Sequence, residues 1–350
     1  MEILRNIPLA PFTTLRIGGP ARFFAEARSA EEAREAVLWA RQQRQPLFIL
    51  GGGSNLVVSD EGWPGLVLRV AVGGIATQPR SGDEAVYEVG AGVDWDQFVA
   101  LAVAAGCAGV ECLSGIPGTV GATPVQNVGA YGQEVSQTIR TVDALNLASL
   151  EWLQLGNAEC GFAYRASRFN TVDRGRYLIV RVGFALRPGG TACLKYADLQ
   201  AHFAGRRASP SLAEVRQAVL EIRRRKAMLV EEADPESRSA GSFFKNPLLS
   251  HADYERLAGR WERLGVSVPG FAQDDGRVKL PAAWLVERSG ICKGFQLGPV
   301  AVSRKHALAL VNRGGASAAD LVRLKELVES RVRETFGIEL QPEPVFVGDF

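Results

Sequence analysis

The chain has 350 residues, more than one hydrophobic core usually serves, so two or three domains are expected. Its 47% apolar and 22% charged residues are typical of an ordinary globular protein. The 40 basic and 38 acidic residues give a net charge of +2, so no excess positive charge favours nucleic acid as a partner, and small-molecule chemistry is expected instead.

The cysteines and the N-terminus indicate the compartment. Five cysteines, at positions 107, 112, 160, 193 and 292, are odd in number and lack metal-type spacing, which predicts reduced, mostly buried thiols without a disulfide framework or a metal site. The first residues do not resemble a secretion signal, and no apolar run approaches the length of about 18 residues that a membrane span needs. We therefore expect a cytoplasmic protein without a membrane partner.

A predicted β-α-β unit opens the chain. A strand-like segment at 22–27 precedes an amphipathic helix over 30–43, whose apolar residues recur at helical spacing behind a capping box that begins at Ser29. A short buried strand at 46–50 follows, and a further apolar strand covers 66–70.

The strand at 46–50 ends in a glycine loop, Gly51-Gly52-Gly53-Ser54-Asn55. Clustered backbone N–H groups in such a loop suit a phosphate or pyrophosphate. A tight turn explains the loop equally well, and a Walker A motif is excluded because no Gly-Lys-Ser/Thr follows. The later run Gly90-Ala91-Gly92 is not a dinucleotide fingerprint either, since Trp95 stands where the third glycine should be.

A longer loop at 114–132 is the most informative stretch. It combines five glycines with Pro117, Pro124, Gln126 and Asn127, and it carries almost no charge. Glycine lets backbone approach a ligand closely, proline stiffens the chain, and the neutral amides can donate and accept hydrogen bonds. A surface connector has no reason for this combination, so the loop is expected to pack against protein or ligand.

Two arginines beside aromatic residues leave their role open. Arg165 and Arg168 lie between predicted strands near 139–155 and 177–187. Such cations anchor a carboxylate or lie over rings at the surface, and composition alone favours the surface interpretation.

The second half alternates predicted helices with polar segments. A helix capped by Ser211 and Glu214 ends in four cations at 223–226, and the polar residues 227–241 contain a predicted domain boundary. The elements predicted after this boundary are a helix at 281–289, a strand at 307–312 and a helix at 318–336.

Two short motifs in this half hold polar groups in apolar surroundings. Gly241–Pro247 places the hydroxyl of Ser242 beside two phenylalanines. Glu343 lies between two prolines, which fix its backbone and would hold its carboxylate in one place. A glutamate near a C-terminus is most often solvated, but an apolar, proline-flanked strand end is an unusual position for one.

Together these stretches resemble one bacterial family along almost the whole chain, the flavoenzymes called UDP-N-acetylenolpyruvoylglucosamine reductases. A single glycine loop would not identify the family, whereas an ordered set of motifs does. The matching segments, in order, are Thr13–Gly19, Gly51–Asn55, Ile116–Gly132, Tyr164-Arg165, Gly241–Pro247, Lys293-Gly294, Val302-Ser303, His306 and Pro342-Glu343.

The resemblance implies a fold and a cofactor. The fold would be α+β, with an FAD-binding domain of the vanillyl-alcohol-oxidase/PCMH type in two subdomains and a C-terminal α+β substrate-binding domain. The implied ranges are 1–72, rejoined by 339–350, for the first subdomain, 73–227 for the second and 228–338 for the substrate-binding domain. FAD would be bound non-covalently, because the first histidine, His202, lies beyond the predicted flavin loops.

The resemblance also implies a reaction. NADPH would reduce the flavin, and hydride would then pass to the enol ether of UDP-N-acetylenolpyruvoylglucosamine, giving UDP-N-acetylmuramate for peptidoglycan. Arg165 would bind the enolpyruvyl carboxylate, and Glu343 would help stabilise the enolate charge. Ser242 would protonate the α-carbon, which a serine can do only against a strongly basic carbanion in a dry pocket.

Further contacts carry over by motif. Tyr196 resembles the tyrosine of the longer, loop-bearing (type I) subgroup. The substrate contacts would be Tyr196, Lys226, Asn246 and His306. The flavin contacts would be Gly51, Gly52, Gly53, Ser54, Asn55, Ile116, Pro117, Gly118, Gly121, Ala122, Gln126, Asn127, Gly129, Ala130 and Tyr131. After Lys226 the chain departs from the family pattern, with Ala227-Met228 where Leu-Pro is common. A monomer is expected.

Two alternatives compete with this interpretation. Another flavin-dependent oxidase or dehydrogenase of the same fold would keep the glycine loops without the Ser242 and Glu343 motifs. A non-catalytic module that binds flavin or a nucleotide sugar would tolerate the loss of Arg165 as well, whereas all three residues are present.

Overall fold

The computed structural model describes residues 1–350, with side chains described for 1–78 and 82–350. Over these residues the helices α1–α7 are Ala30–Gln42, Trp95–Ala104, Ala197–His202, Leu212–Arg225, His251–Glu262, Ala282–Arg288 and Ala318–Phe336. The strands β1–β20 are Leu4–Pro8, Pro20–Ala27, Leu47–Leu50, Leu56–Val58, Trp63–Val70, Ile75–Ser81, Glu84–Gly90, Cys107–Ala108, Gly129–Ala130, Gln133–Glu134, Ile139–Asn146, Trp152–Gly156, Tyr177–Pro188, Leu248–Leu249, Phe271–Ala272, Val278–Lys279, Gln296–Leu297, Val300–Val302, Leu310–Asn312 and Val345–Val347.

The chain divides into two compact units, and each is built from separate pieces of sequence. Unit 1 comprises Met1–Ile7, Pro20–Gly53 and Trp63–Leu229. Unit 2 comprises Pro8–Gly19, Ser54–Gly62 and Val230–Phe350. The backbone therefore passes between the units five times, after residues 7, 19, 53, 62 and 229.

The predicted β-α-β unit is present in unit 1. Strands β2 and β3 both run parallel to β5 in the sheet of order β1-β2-β5-β3. Helix α1 begins after Ser29, whose hydroxyl accepts the N–H of Glu32, and it buries Ala33, Ala36 and Val37 on one face. Small side chains on this face let the helix lie close to the sheet.

The second sheet of unit 1 is antiparallel and supports the longer glycine loop. Its order is β12-β11-β13-β7-β6, with β8 on the end of β13. Helix α2 follows β7 after a short connection and buries Trp95 and Phe98, and the Phe98 ring lies 4.8 Å from that of Phe184 on β13. This aromatic core fixes the connection 91–93 to which the longer loop attaches.

Unit 2 packs small sheets on the long helix α7. The helix begins at Ala318 after a Ser317 capping box and buries Leu321, Leu324, Val328 and Val332 in the core of the unit. The three sheets of this unit are β14-β16-β15, β17-β18-β19 and the parallel pair β20-β4. The last pair joins residues 345–347 to residues 56–58, far apart in sequence.

The structure adds elements that the sequence patterns did not predict and shortens one that they did. Helices α3 and α5 were not expected. The strand predicted at 307–312 is limited to 310–312, because His306 forms a turn in which its backbone carbonyl accepts the N–H of Ala309, 3.1 Å away. The helix and strand content of the described residues confirms the α+β class.

Candidate active site

The two glycine loops of unit 1 pack against each other backbone to backbone. A Cβ atom placed on Gly52 would lie 2.5 Å from the Cα of Gly118, and one on Gly51 would lie 3.1 Å from the Thr119 hydroxyl. A side chain at Gly52 would therefore separate the loops, because its obstacle is backbone that cannot rotate away. The absence of side chains at 51–52 and at Gly118 brings two turns of bare backbone together.

The longer loop is anchored on one side to the connection between β7 and α2. The carbonyl of Gly118 accepts the N–H of Trp95 at 3.0 Å, and the N–H of Gly121 donates to the carbonyl of Ala91 at 2.9 Å. A Cβ atom on Gly121 would lie 2.5 Å from that of Ala91. Residues 115–119 remain half-buried, so this first part of the loop is not enclosed in the protein core.

Asn127 orders the middle of the longer loop. It is buried, and its backbone has a φ of 46°, a conformation that asparagine tolerates better than most residues. Its Nδ2 donates to Glu134 at 2.8 Å and to the carbonyl of Ala163 at 3.0 Å, while its Oδ1 accepts the N–H of Ser136. The amide therefore ties the loop to the turn that carries Arg165.

Arg165 lies at the tip of a two-residue turn and contacts the longer glycine loop. Ala163 and Ala166 pair through backbone hydrogen bonds of 2.9 and 3.1 Å, and Arg165 between them has a φ of 54°. Its Nη1 donates to the carbonyl of Gly129 at 2.9 Å. A left-handed conformation is costly for a residue with a side chain and is common at functional sites. The guanidinium also lies 5.6 Å from the centroid of the Tyr164 ring, so this arrangement fits both interpretations of Arg165, the carboxylate anchor and the cation over a ring.

Four side chains in unit 1 form a polar cluster, Tyr131, Tyr196, Asp198 and Lys226. The Tyr131 and Tyr196 rings meet edge to face with centroids 5.2 Å apart. Lys226, at the end of α4, places its Nζ 2.6 Å from Oδ2 of Asp198 in the first turn of α3. Burial raises the pKa of the Tyr131 hydroxyl. Partial burial lowers the pKa of Lys226, but the hydrogen bond to Asp198 and the charge interactions with Tyr131, Asp198 and Tyr196 together outweigh burial and hold the pKa above its ordinary value.

A clamp of charged residues, not identified from sequence, holds the start of the longer loop. Asp96 accepts the N–H of Gly115 at 2.6 Å. Its two carboxylate oxygens also accept from Nη1 and Nη2 of Arg216, at 2.5 and 2.8 Å. Arg223 donates through Nε to the carbonyl of Gly115 at 3.1 Å and through Nη2 to the carbonyl of Met228. Both polar backbone groups of Gly115 are therefore fixed by side chains far away in sequence.

Unit 2 brings Ser242, His306 and Glu343 onto neighbouring segments through the backbone of Phe243. The N–H of Phe243 donates to the carbonyl of Leu308, and its carbonyl accepts the N–H of Glu343, each at 2.8 Å. Phe243 is fully buried. Ser242, one residue before Phe243, and Glu343, whose N–H donates to it, are both half-buried, so the backbone of each is tied to this buried residue.

The other predicted residues of unit 2 also have defined partners. Asn55 donates through Nδ2 to the carbonyl of Glu343 at 3.3 Å, and its own carbonyl accepts the N–H of Val345. The Oδ1 of Asn246 accepts the N–H of Ala282 at the start of α6. The Nδ1 of His306 accepts the N–H of Leu308 at 3.0 Å, which leaves Nε2 as the protonated nitrogen of a neutral ring.

The predicted residues are thus collected within each unit. Unit 1 holds Arg165, Tyr196, Lys226, the loop residues 51–53 and the loop residues 116–131, and unit 2 holds Ser54, Asn55, Ser242, Asn246, His306 and Glu343. The close approach of Gly52 and Gly118 leaves no room for a side chain, and the half-buried glycine backbone beside it suits the pyrophosphate of a flavin dinucleotide. In the described part of the chain no cluster of three His, Cys, Asp or Glu residues is placed to hold a metal ion, and no helix is long and apolar enough to span a membrane.

Comparison with protein families gives two matches that together cover most of the chain. A family model described as "FAD binding domain" matches residues 21–150. A second, described as "UDP-N-acetylenolpyruvoylglucosamine reductase, C-terminal domain", matches residues 234–347. The glycine loops lie within the first match, and Ser242, His306 and Glu343 lie within the second.

Individual relatives match over the full length. The chain is 47% identical over 349 residues to the UDP-N-acetylenolpyruvoylglucosamine reductase of Thermobifida fusca, covering 98% of each chain. It is 45% identical to the protein of the same name from Streptomyces avermitilis, covering 99% of this chain and 96% of the other. A crystal structure of the Thermus caldophilus reductase matches with a TM-score of 0.64 at 26% identity, covering 99% of this chain and 98% of that one.

Proposed function

The chain belongs to the UDP-N-acetylenolpyruvoylglucosamine reductase family, and from this premise we propose that it reduces UDP-N-acetylenolpyruvoylglucosamine to UDP-N-acetylmuramate with bound FAD, using NADPH. The observation that supports the proposal is the backbone hydrogen bond that holds Glu343 beside Phe243, the residue after Ser242. A relative that had lost the activity would have no reason to keep a proton donor and an acid on one rigid anchor.

We propose that FAD is held non-covalently by the residues named above from the two glycine loops. The Gly52–Gly118 contact supplies bare backbone for the pyrophosphate, and the half-buried amides around it can donate to its oxygens. When bound, FAD would supply the hydride that the enol ether receives. The remaining chemistry belongs to side chains of this protein.

Arg165 is proposed to bind the carboxylate of the enolpyruvyl group. Its guanidinium is already positioned by the carbonyl of Gly129 and by the left-handed turn, so little reorganisation is needed when the substrate arrives. As hydride arrives at the enol ether, negative charge grows on the α-carbon and the carboxylate. A fixed cation there stabilises the transition state more than the ground state.

We propose that Glu343 stabilises the enolate and that Ser242 donates the proton. Glu343 in its acid form can donate a hydrogen bond to the developing enolate, and its flanking prolines and the Phe243 anchor restrict where that hydrogen bond points. The Ser242 hydroxyl then transfers its proton to the α-carbon, which sets the configuration of the new stereocentre.

Three residues are proposed to contact the uridine diphosphate. Lys226 supplies a point charge for phosphate, and Nδ2 of Asn246 and Nε2 of His306 supply neutral donors. Tyr196 would lie against the substrate as in the loop-bearing subgroup. A cytoplasmic monomer is part of the proposal, because nucleotide sugars and NADPH are cytoplasmic metabolites, and light scattering of the purified protein would test the monomer.

The reaction is tested with FAD-loaded protein, NADPH and the enolpyruvyl substrate, by following the loss of nicotinamide absorbance. The expected result is NADPH oxidation that depends on the substrate. Ser242→Ala should leave flavin reduction by NADPH unchanged and slow anaerobic reoxidation by the substrate by about a hundredfold or more.

Ser330→Ala on the outer part of α7 is the matched control and should reoxidise at the wild-type rate. Reoxidation of Ser242→Ala at that rate would remove the serine from the mechanism. A flavin-loaded wild type that oxidises NADPH only with oxygen would instead support a different flavoenzyme of the same fold.

A further inference from the structure

The ion pair between Lys226 and Asp198 occupies the ammonium group that the proposed function assigns to the substrate's diphosphate. The Nζ and Oδ2 atoms are 2.6 Å apart, and the two side chains are 36% and 40% exposed. An exposed pair of this kind contributes little to folding stability. The pair should affect ligand binding more than stability, because one ammonium group cannot bind a carboxylate and a phosphate at full strength at the same time.

The position of Asp198 connects this pair to the substrate tyrosine. Tyr196 is the N-cap residue of α3, and Asp198 lies two residues later in the first turn of that helix. The Tyr196 ring is held edge-on against the buried Tyr131 on the longer glycine loop. A ligand that replaces Asp198 at Lys226 therefore also releases the start of α3 from this ionic contact with the end of α4.

We propose that Asp198 is a positioning residue that competes with the diphosphate for Lys226, so that diphosphate binding frees the α3 start and its Tyr196. The inference rests on the proposed function for the identity of the ligand. A diphosphate carries more negative charge than a carboxylate, so it displaces Asp198 from the ammonium.

The opposite role is physically reasonable, and the two roles predict opposite signs. If Asp198 served only to hold the lysine side chain in place for phosphate, its neutralisation would weaken nucleotide binding. If Asp198 competes with phosphate for Lys226, neutralisation removes the competitor, and UDP binding becomes tighter. Because the pair is partly exposed, the change is expected to be modest, about threefold.

The test uses calorimetric titration of the full-length, FAD-loaded protein with UDP and, separately, with uridine. Asp198→Asn should bind UDP about threefold more tightly than the wild type and bind uridine equally well, since uridine has no phosphate to reach Lys226. In steady-state assays the same variant should lower KM for the substrate while its kcat stays within a factor of about two.

A double-mutant cycle shows whether the effect passes through Lys226. In a Lys226→Met background, Asp198→Asn should leave UDP affinity unchanged. Asp275→Asn, which breaks an exposed Asp–Arg pair in unit 2, is the charge-matched control and should not alter UDP binding.

Each outcome decides the inference. Unchanged or weaker UDP binding by Asp198→Asn overturns it, as does an effect that persists without Lys226 or that is equally large for uridine. If any of these results is obtained while the wild type reduces the substrate with NADPH, the proposed function is still supported and only the competition is excluded. Conversely, a wild type that binds UDP but does not oxidise NADPH with the substrate would remove the proposed function, and tighter UDP binding by Asp198→Asn would still support the competition.

Discussion

Asp96 is the single residue on which the start of the longer glycine loop depends most directly. It accepts the N–H of Gly115 and is held by Arg216 through two hydrogen bonds. Asp96→Asn keeps one oxygen but loses the charge that both partners use, so the loop should lose its fixed starting point. We expect FAD to bind about tenfold more weakly, measured as flavin released on dilution and filtration.

The control for this prediction is Asp143→Asn, whose carboxylate accepts from the Gln154 amide on the neighbouring strand. That variant should retain FAD like the wild type. If Asp96→Asn also retains FAD fully, the clamp does not contribute to cofactor binding.

The same aspartate gives a pH dependence with a defined sign. Burial opposes ionisation of Asp96, but hydrogen bonds from Arg216 and from the N–H of Gly115 outweigh burial, so its pKa lies below the ordinary value of 3.8. A carboxyl group with a depressed folded-state pKa stabilises the protein fully above its unfolded pKa and loses that contribution as pH falls through the folded value. The contribution of Asp96 to stability is therefore expected to decrease as the pH falls below about 4.

The measurement is Tm from pH 6 down to pH 3 for the wild type and Asp96→Asn. Other carboxylates titrate in both proteins, so the difference isolates this one group. The wild type should lose its stability advantage over the variant as pH falls below about 4. Parallel curves would mean that the carboxylate's ionisation does not stabilise the folded protein.

At the scale of elements, the N-terminus of α7 is capped twice. Its own Ser317 and Asp320 form a capping box, and Asp60 from the segment after β4 accepts the N–H groups of Ala318 and Ala319 at 2.7 and 3.0 Å. Asp60→Ala leaves those donors to water and removes a negative charge from the positive end of the helix.

We expect Asp60→Ala to lower the free energy of unfolding by about 1–2 kcal/mol, measured by urea denaturation. Asp274→Ala, in an exposed turn, should change it by less than about 0.5 kcal/mol. Equal stabilities of the two variants would show that the capping box alone suffices.

Helix starts are the part of the fold that the sequence revealed best, because their signals are local. Ser29 and Ser211 each accept an N–H three residues later, as the capping patterns indicated, and Asp94 and Ser317 do the same at the starts of α2 and α7. Ser250 does the same for the helix α5, so a signal for that unpredicted helix was present.

Contacts between distant segments could not be predicted in this way. The Asp96 clamp, the Asp198–Lys226 pair and the pairing of β20 with β4 join residues that no spacing relates. The candidate catalytic residues were found by family resemblance, whereas their hydrogen-bond partners required coordinates.

At the scale of the whole molecule, unit 2 depends on two early pieces of the chain. Leu15, Ile17 and Val57 are buried in its core, and β4 is the parallel partner of β20. A fragment of residues 230–350 would lack these side chains and expose the edge of β20. We expect the fragment to be unfolded or aggregated.

Circular dichroism and a thermal scan of the 230–350 fragment beside the intact chain would test this. The intact chain should unfold cooperatively and the fragment should show no transition. A cooperative transition in the fragment would show that the early pieces are not required.

The pairing of β20 with β4 also sets an order of events during synthesis. Residues 56–58 leave the ribosome early, yet their partner strand covers residues 345–347. Unit 2 therefore cannot complete its fold until residues 345–347 have been made, whereas every segment of unit 1 has been made by residue 229. A nascent chain that stalls between residues 229 and 343 would have all the parts of unit 1 but an unfinished unit 2 without Glu343.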